Sequence, residues 1–279
     1  MCFGDDAETP KNWAKGLTKG TDARIARAAE GHRGLRYVRR SSIDRRRGPG
    51  SRLEPLSWTP ALAYAVGLAA TDGCLINTGR HVAFVSTERD QMETFINCVG
   101  RDAARTTIRK DGNAHRVQFG DVELYRWLEE TGLTQRKSLT LGSVDVPANL
   151  FLHLVRGLFD GDGSISHYVH RPVLRKYPRY LYRRLTVRFH SASPEHLRWL
   201  QKGLADALSI TGAVVQQSKD HEHNMYALQY AKYASISLLA KLYEDPASPR
   251  LLRKWLIWEG FKAQPVTTRP YRRKNVNQN

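Results

Sequence analysis

Two carboxylates in this 279-residue chain stand in matching company. Asp72 precedes Gly73 and Asp162 precedes Gly163, 90 residues apart, and each closes a run of small and apolar residues. Five residues before each acid lies another glycine, Gly67 or Gly157. Helices built on these runs can approach closely there and bring two C-terminal carboxylates towards a common axis. Gly73 and Gly163 suit the left-handed backbone of a helix stop. A carboxylate at a helix C-terminus is disfavoured by the macrodipole, and two close together repel. A divalent cation relieves both penalties. Mg²⁺ takes a few carboxylates with water and phosphate oxygens, a centre able to orient attacking water and stabilise leaving oxygens in phosphodiester hydrolysis.

Other readings of the same residues are weaker. A lone AATDG is an ordinary helix stop, since Asp-Gly is a common turn, and only the twin occurrence favours a metal. DGDGSIS resembles the start of a calcium loop, but the twelfth position counted from Asp160 is Arg171, not Glu. His221 and His223, two apart in KDHEHN, read as a turn. Three widely spaced cysteines, Cys2, Cys74 and Cys98, indicate neither a disulfide framework nor a zinc knuckle.

The elements that must position the acids form an internal repeat. PALAYAVGLAATDGCL (60–75) and PANLFLHLVRGLFDGDGSI (147–165) share their ending: Gly-Leu, three residues, Asp-Gly. AFVSTERDQMETF (83–95) lines up with RFHSASPEHLRWL (188–200), a strand giving way to a Ser- or Thr-initiated helix. RVQFGDVELYRWLEE (116–130) lines up with ALQYAKYASISLLAK (227–241), matching Gln118 to Gln229 and Phe119 to Tyr230. The pattern predicts an α+β fold in which αββαββα occurs twice about a pseudo-two-fold, with two antiparallel sheets. Strand phase sends Leu185, Val187 and Phe189 inward and leaves Arg184, Thr186 and Arg188 outward; Val117 and Phe119 likewise leave Arg116 and Gln118 outward. These residue types suit base edges and phosphates, and a twisted antiparallel ribbon fits a major groove.

Charge agrees with a nucleic-acid partner. Lys and Arg number 44 against 27 acidic residues, a net charge of +17, and 31 of the 44 are Arg. The excess is concentrated. Residues 1–56 carry 13 basic and 7 acidic residues, 167–190 carry 7 and 0, and 262–279 carry 5 and 0, so the remainder is nearly neutral. Residues 40–56 read as a linker behind a short helix within TDARIARAAEGHRG. Segment 167–190, with Tyr168, Tyr177, Tyr180 and Tyr182 among its arginines, reads as an extended DNA-contacting hairpin. No apolar run approaches a bilayer span and the N-terminus is unlike a secretory signal, so a protein of the cytosol or nucleoid is expected, without membrane association.

AVGLAATDG (65–73) and VRGLFDGDG (155–163) resemble the two motifs of a single-chain LAGLIDADG homing endonuclease, and the repeat around them, roughly 57–262, is similar to that family's. The first motif departs from the pattern, with Ala70 where the earlier acid would stand; the metal-binding acid of the family is the one before the glycine. The resemblance therefore implies a basic extension and linker (1–56), halves at 57–143 and 144–262, and a basic tail (263–279), in a saddle-shaped monomer needing no protein partner. It places the metal at Asp72 and Asp162 with Ala70 and Gly161 beside them, and a basic residue near each scissile phosphate: Lys137, and Lys254 rather than Arg253. DNA contacts would come from Asn77, His81, Arg116 and Gln118 in the first half. In the second they would come from Ser164, Ser166, Tyr168, Arg184, Thr186, Arg188 and Gln229.

Mg²⁺ is the implied cofactor, with Mn²⁺ substituting and Ca²⁺ supporting binding without cleavage. The implied partner is a long double-stranded DNA target cut to leave 3′ overhangs, in the service of intron or intein mobility. The flanks lack splicing blocks and the chain ends Val-Asn-Gln-Asn, so a free-standing enzyme is expected rather than an intein fragment. An RNA-binding intron maturase or a non-cleaving DNA-binding regulator on the same fold, and a general basic RNA binder, are the alternatives.

Overall fold

A computed structural model describes residues 56–170, 182–218 and 224–263, and Ala23 alone among those before 56. The N-terminal helix, the linker up to residue 55, Tyr177 and Tyr180, His221 and His223, and the basic tail from 264 lie outside the described residues. All but Ala23 belong to one compact unit, Arg46–Asn279.

The first half runs α1 (Pro60–Asp72), β1 (Gly73–Leu75), β2 (His81–Ser86), α2 (Arg89–Cys98), β3 (Ile108–Asp111), β4 (Ala114–Gly120) and α3 (Val122–Glu130). The second runs α4 (Phe151–Asp160), β5 (Gly163–His170), β6 (Tyr182–Ser191), α5 (Pro194–Leu208), β7 (Ala213–Ser218), β8 (Met225–Tyr230) and α6 (Lys232–Leu242), and then adds α7 (Leu252–Ala263). Where the second half has α7, the first has only a 3₁₀ turn, Lys137–Leu139. Two four-stranded antiparallel sheets result, ordered β1-β2-β4-β3 and β5-β6-β8-β7.

Their registers reproduce the sequence repeat. Gly73 pairs with Phe84 and Gly163 with Phe189; Ala83 pairs with Gln118 and Arg188 with Gln229. Alternation follows: Val82, Phe84, Val117 and Phe119 are buried beneath one sheet, and Leu185, Val187, Phe189, Leu228 and Tyr230 beneath the other. One core spans both halves. The hairpin β5–β6 holds eight register pairs against three in β1–β2, so the second half projects the longer ribbon.

Helix α1 is started by Thr59, whose hydroxyl accepts from the Leu62 N–H at 3.0 Å, and by Pro60 at its first position. Every residue from Leu62 to Ala70 is buried, the signature of a helix enclosed on all sides. Its main partner is α4, buried from Leu154 to Asp160. The two backbones touch. A Cβ added at Gly67 would lie 2.2 Å from the Leu154 carbonyl oxygen and 2.8 Å from the Gly157 Cα, and one at Gly157 would lie 2.1 Å from the Tyr64 oxygen.

Two local expectations need correction. Gly73 is not left-handed: its φ is −85° and its ψ 156°, and among the described residues the positive-φ glycines are Gly79, Gly100, Gly112 and Gly132, not Gly163. Space is what demands glycine here. Each strand turns straight back over its own helix, so a Cβ at Gly73 would meet the Ala69 backbone at 2.6 Å and one at Gly163 the Phe159 oxygen at 2.3 Å. Helix initiation after the strands also differs between halves. Ser193 caps α5, but α2 begins at Glu88 with no side-chain cap; Ser86 instead accepts from the Glu88 N–H and donates to Gln91.

Gly157→Ala should cost about 1–3 kcal/mol, because a rigid carbonyl blocks the added methyl. Gly260→Ala, in open space on α7, should instead gain about 0.5–1 kcal/mol. Urea unfolding of the two variants checks both signs.

Candidate metal centre and nucleic-acid interface

The contact at Gly67 and Gly157 carries both helix ends to one place. A Cβ on Gly161 would stand 1.9 Å from the Thr71 hydroxyl oxygen and 3.0 Å from the Asp72 Oδ2, so the motif of one half abuts that of the other. Beside them opens a cavity of about 240 Å³ lined by residues of both halves, among them Ala70 and Thr71 with Asp162 and His190. Asp72 is half-buried and Asp162 reaches solvent. Burial first and Asp162 second push the Asp72 carboxyl up to about 6, while Lys254, Thr71 and Lys137 oppose the shift. Loss of hydration alone raises the Asp162 carboxyl above the usual carboxylate range, against the pull of Lys254, Lys137 and His190.

Neither lysine lies on a solvated helix surface. Lys137, in the turn after α3, is buried and its ammonium donates to the Gly73 carbonyl. Lys254, on α7, is buried and donates to the carbonyls of Phe159, Asp160 (2.9 Å) and Gly161 (3.1 Å). Both thus neutralise the carbonyl-rich C-terminal end of a helix, where cations are favoured. Desolvation lowers Lys137, and it lowers Lys254 to about 8, although Asp72 and Asp162 pull both upwards. Arg253 points elsewhere, pairing with Glu88 at 2.9 Å.

Asp160, which the sequence leaves without a task, is fully enclosed. It accepts from the Tyr64 hydroxyl at 2.9 Å, the Leu251 N–H at 2.7 Å and the Tyr243 hydroxyl at 3.4 Å, and its carbonyl accepts from Gln91 at 3.1 Å. Tyr64 and Gln91 belong to the first half, so this acid stitches the halves together and anchors the start of α7. Only a pattern spanning the fold could have revealed it.

The donor set fits a hard cation. Among the described residues no three His, Cys, Asp or Glu side chains converge, so a cation here would meet two carboxylates with backbone oxygens near Ala70 and Gly161. Such sites suit Mg²⁺ or Ca²⁺, which accept all-oxygen shells completed by water and phosphate. The Gly161 oxygen already takes one hydrogen bond from Lys254.

The strand residues form rows that lead away from the acids. The first row past Asp162 is Ser164, Arg188 and Gln229; then come Ser166 and Thr186; then Tyr168 and Arg184. Thr186 and Arg188 are half-buried and Arg184 and Tyr168 exposed, as the strand phase requires. In the first half the row after Asp72 is Cys74, Ala83 and Gln118, with Arg116, opposite Val85, one row nearer the acid. Arg116 donates to Gln118 at 3.2 Å. Asn77 sits exposed in the β1–β2 turn, and His81 opens β2 with its ring bonded to Thr78 at 2.8 Å.

Two residues of this face escaped the sequence reading. Arg109 on β3 is exposed opposite Arg116, and His190 on β6 bonds Ser164 at 3.0 Å and Gln217 at 2.9 Å. The alternation along IRKD and RFHS was the available signal. Arg183, counted with the basic hairpin, faces inward instead and lies 4.2 Å over the Phe261 ring.

Asp160→Ala would strand three donors in the interior and should cost on the order of 3 kcal/mol in chemical unfolding. The raised Asp72 predicts a pH effect. Because its folded value exceeds 3.8, the metal-free folded protein holds more protons than the unfolded chain between about pH 4 and 6, and stability falls as pH rises through that window. Asp72→Asn should remove this part of the fall and melt higher than the parent near neutral pH in chelator. Added Mg²⁺ should raise the Tm of the parent much more than that of the variant. Equal melting curves in both media would contradict the assignment.

No family model matches the sequence, and neither does a curated relative. Among solved structures, the homing endonuclease I-DmoI in complex with DNA and Ca is similar at 13% identity and a TM-score of 0.46, over 72% of this chain and 97% of that one. The LAGLIDADG homing endonuclease I-LtrWI bound to target DNA gives 12% and 0.48, over 73% and 88%. Full-length DUF199/WhiA from Thermatoga maritima gives 13% and 0.42, over 76% and 69%. In fold the chain is similar to LAGLIDADG homing endonucleases, the likeness that its twin motifs carry in sequence.

Proposed function

We propose that this chain is a divalent-cation-dependent, site-specific endonuclease that cuts both strands of double-stranded DNA. One observation carries the proposal: two acids from two halves of a duplicated fold end at one place, Asp162 in the wall of a cavity that both halves line and Asp72 against Gly161 beside it, with buried Lys137 and Lys254 bonded to the carbonyls of the two motifs. A twofold arrangement of acid and base suits a substrate that is itself twofold in its backbone.

In this reading Asp72 and Asp162 hold the cation, with backbone oxygens at Ala70 and Gly161 alongside. Mg²⁺ is the working ion, Mn²⁺ replaces it, and Ca²⁺ supports binding only. The bound ion supplies water activation and charge neutralisation at the scissile phosphates. Lys137 and Lys254 fix the helix ends and place positive charge where negative charge develops. The outward rows, with Arg116 and Gln118 on one sheet and Arg184, Thr186 and Arg188 on the other, contact bases and phosphates in the major groove. The enzyme acts as a monomer, in the cytosol or nucleoid, and leaves 3′ overhangs; the mobility of its own gene is the biological outcome.

A library of randomised DNA sites incubated with Mg²⁺ tests the proposal directly. Recovery of a cleaved subset is expected, and Asp162→Asn should abolish cleavage while leaving binding in Ca²⁺ within a few-fold of the parent. Undiminished cutting by that variant would remove Asp162 from the metal set. Site-specific DNA binding with no cleavage by the parent would favour the non-cleaving regulator, and preferential RNA binding would favour the maturase.

A further inference from the structure

Helices α4 and α7 meet end to end, and each end completes the other. Asp160, the last residue of α4, turns its carboxylate to the start of α7, where Oδ2 accepts from the Leu251 N–H at 2.7 Å. Leu251 immediately precedes α7, and its own carbonyl accepts the first helical bonds, from the N–H groups of Lys254 and Trp255. A carboxylate is favoured at that positive end. In return Lys254, in the first turn of α7, sends its ammonium back to the carbonyls of Phe159, Asp160 and Gly161, where a cation is favoured. The Asp160 side chain is itself enclosed and held by Tyr64, whose hydroxyl donates to the same oxygen at 2.9 Å.

The first half has no such clasp. Ala70 stands where Asp160 would, a 3₁₀ turn takes the place of α7, and the Lys137 carbonyl accepts from the Thr140 and Leu141 N–H groups of its own loop. Lys137 is thus placed locally, whereas Lys254 is placed by a helix whose origin is fixed on Asp160. A shift of that origin moves the lysine with it, and a misplacement of about 1 Å at a reacting centre can cost on the order of 100-fold in rate. We propose that Asp160 is a positioning residue for Lys254: enclosed, it touches neither DNA nor cation, and it sets the ammonium beside one of the two scissile phosphates only. The proposal rests on the endonuclease reading above. It leaves Lys137 untouched, so loss of the Asp160 carboxylate should uncouple the two strand cuts. Stitching alone is the competing account, in which the carboxylate adds stability and nothing else.

A supercoiled plasmid carrying a site recovered from the randomised library, cut in saturating Mg²⁺ and read strand by strand on denaturing gels, separates the two accounts. Asp160→Asn keeps the shape of the side chain but removes its charge and one acceptor. It should slow the cutting of one strand by roughly 10- to 100-fold, so that nicked circles accumulate, while the other strand is cut within a few-fold of the parent rate. Lys254→Met should slow the same strand, and adding Asp160→Asn to it should cost that strand nothing further, as expected of two residues that act as a unit. The Mg²⁺ concentration at half-maximal rate should stay within a few-fold of the parent's. Tyr64→Phe, which removes one donor but leaves the bond from Leu251, should lower the Tm without unbalancing the strands.

Equal rates on both strands in Asp160→Asn, slowed or not, or additive losses in the double variant, would leave Asp160 a role in stability alone and overturn the proposal. So would a loss that higher Mg²⁺ restores, because the effect would then lie at the cation. Circular dichroism verifies folding. If Asp160→Asn does not fold, Asp160→Ala combined with Tyr64→Phe removes the acceptor together with one of its donors, strands fewer groups, and is measured in its place. Absence of any cleavage by the parent would strike at the endonuclease reading itself, a result distinct from cleavage in which both strands respond alike to these substitutions.

Discussion

The backbone contact between α1 and α4 at Gly67 and Gly157 is the constraint on which the rest of the structure depends. No side chain separates the helices there, so their backbones come into direct contact and their C-terminal ends lie close together. Everything chemical lies within one or two turns beyond that point. Gly161 against Thr71 and Asp72 is a second close contact made possible by the first. From there each chain must reverse into a strand without room for a Cβ, which is why Gly73 and Gly163 are needed although neither has a left-handed backbone. Five glycines thus serve one purpose, which is proximity rather than flexibility.

Proximity brings an electrostatic problem. Two carboxylates and two helix C-termini converge in a partly dry setting, and the raised Asp72 and Asp162 register the resulting strain. Lys137 and Lys254 offset it by hydrogen-bonding the helix-end carbonyls directly, which costs them their own hydration and lowers both. The arrangement is poised instead of relaxed: each ion is less favourable alone than in company, and a further cation would settle the two acids. Active centres commonly collect perturbed groups of this kind, because stability and charge arrangement make opposing demands there.

The sequence displayed those parts of this design that repeat or alternate. Twin Asp-Gly endings, Gln118 over Gln229 and the inward Val187 and Phe189 all follow from period and self-comparison, and the registers agree with them to the residue. What it hid was contact between distant segments. Asp160 looks like a spare acid until Tyr64, Gln91 and Leu251 are seen around it, and those partners are scattered over the chain. The burial of Lys254 was hidden for the same reason, since α7 reaches the end of α4 across almost a hundred residues. The glycine conformations were misjudged because a helix stop has two solutions, a left-handed residue or a tight extended reversal, and only tertiary crowding decides between them.

Where the halves differ, the differences fall on one side. The second half alone has an acid at the place of Asp160, an added helix that delivers its lysine and a long ribbon. Lys137 reaches one helix-end carbonyl from a short turn, whereas Lys254 reaches three from a helix whose first residues are tied to Asp160. A duplicated fold in one chain is free to diverge in this manner, because each copy can change without altering its partner, as a homodimer's copies cannot. The shared elements are therefore those that the common centre requires, and the divergent ones are free to follow the two sides of an asymmetric ligand.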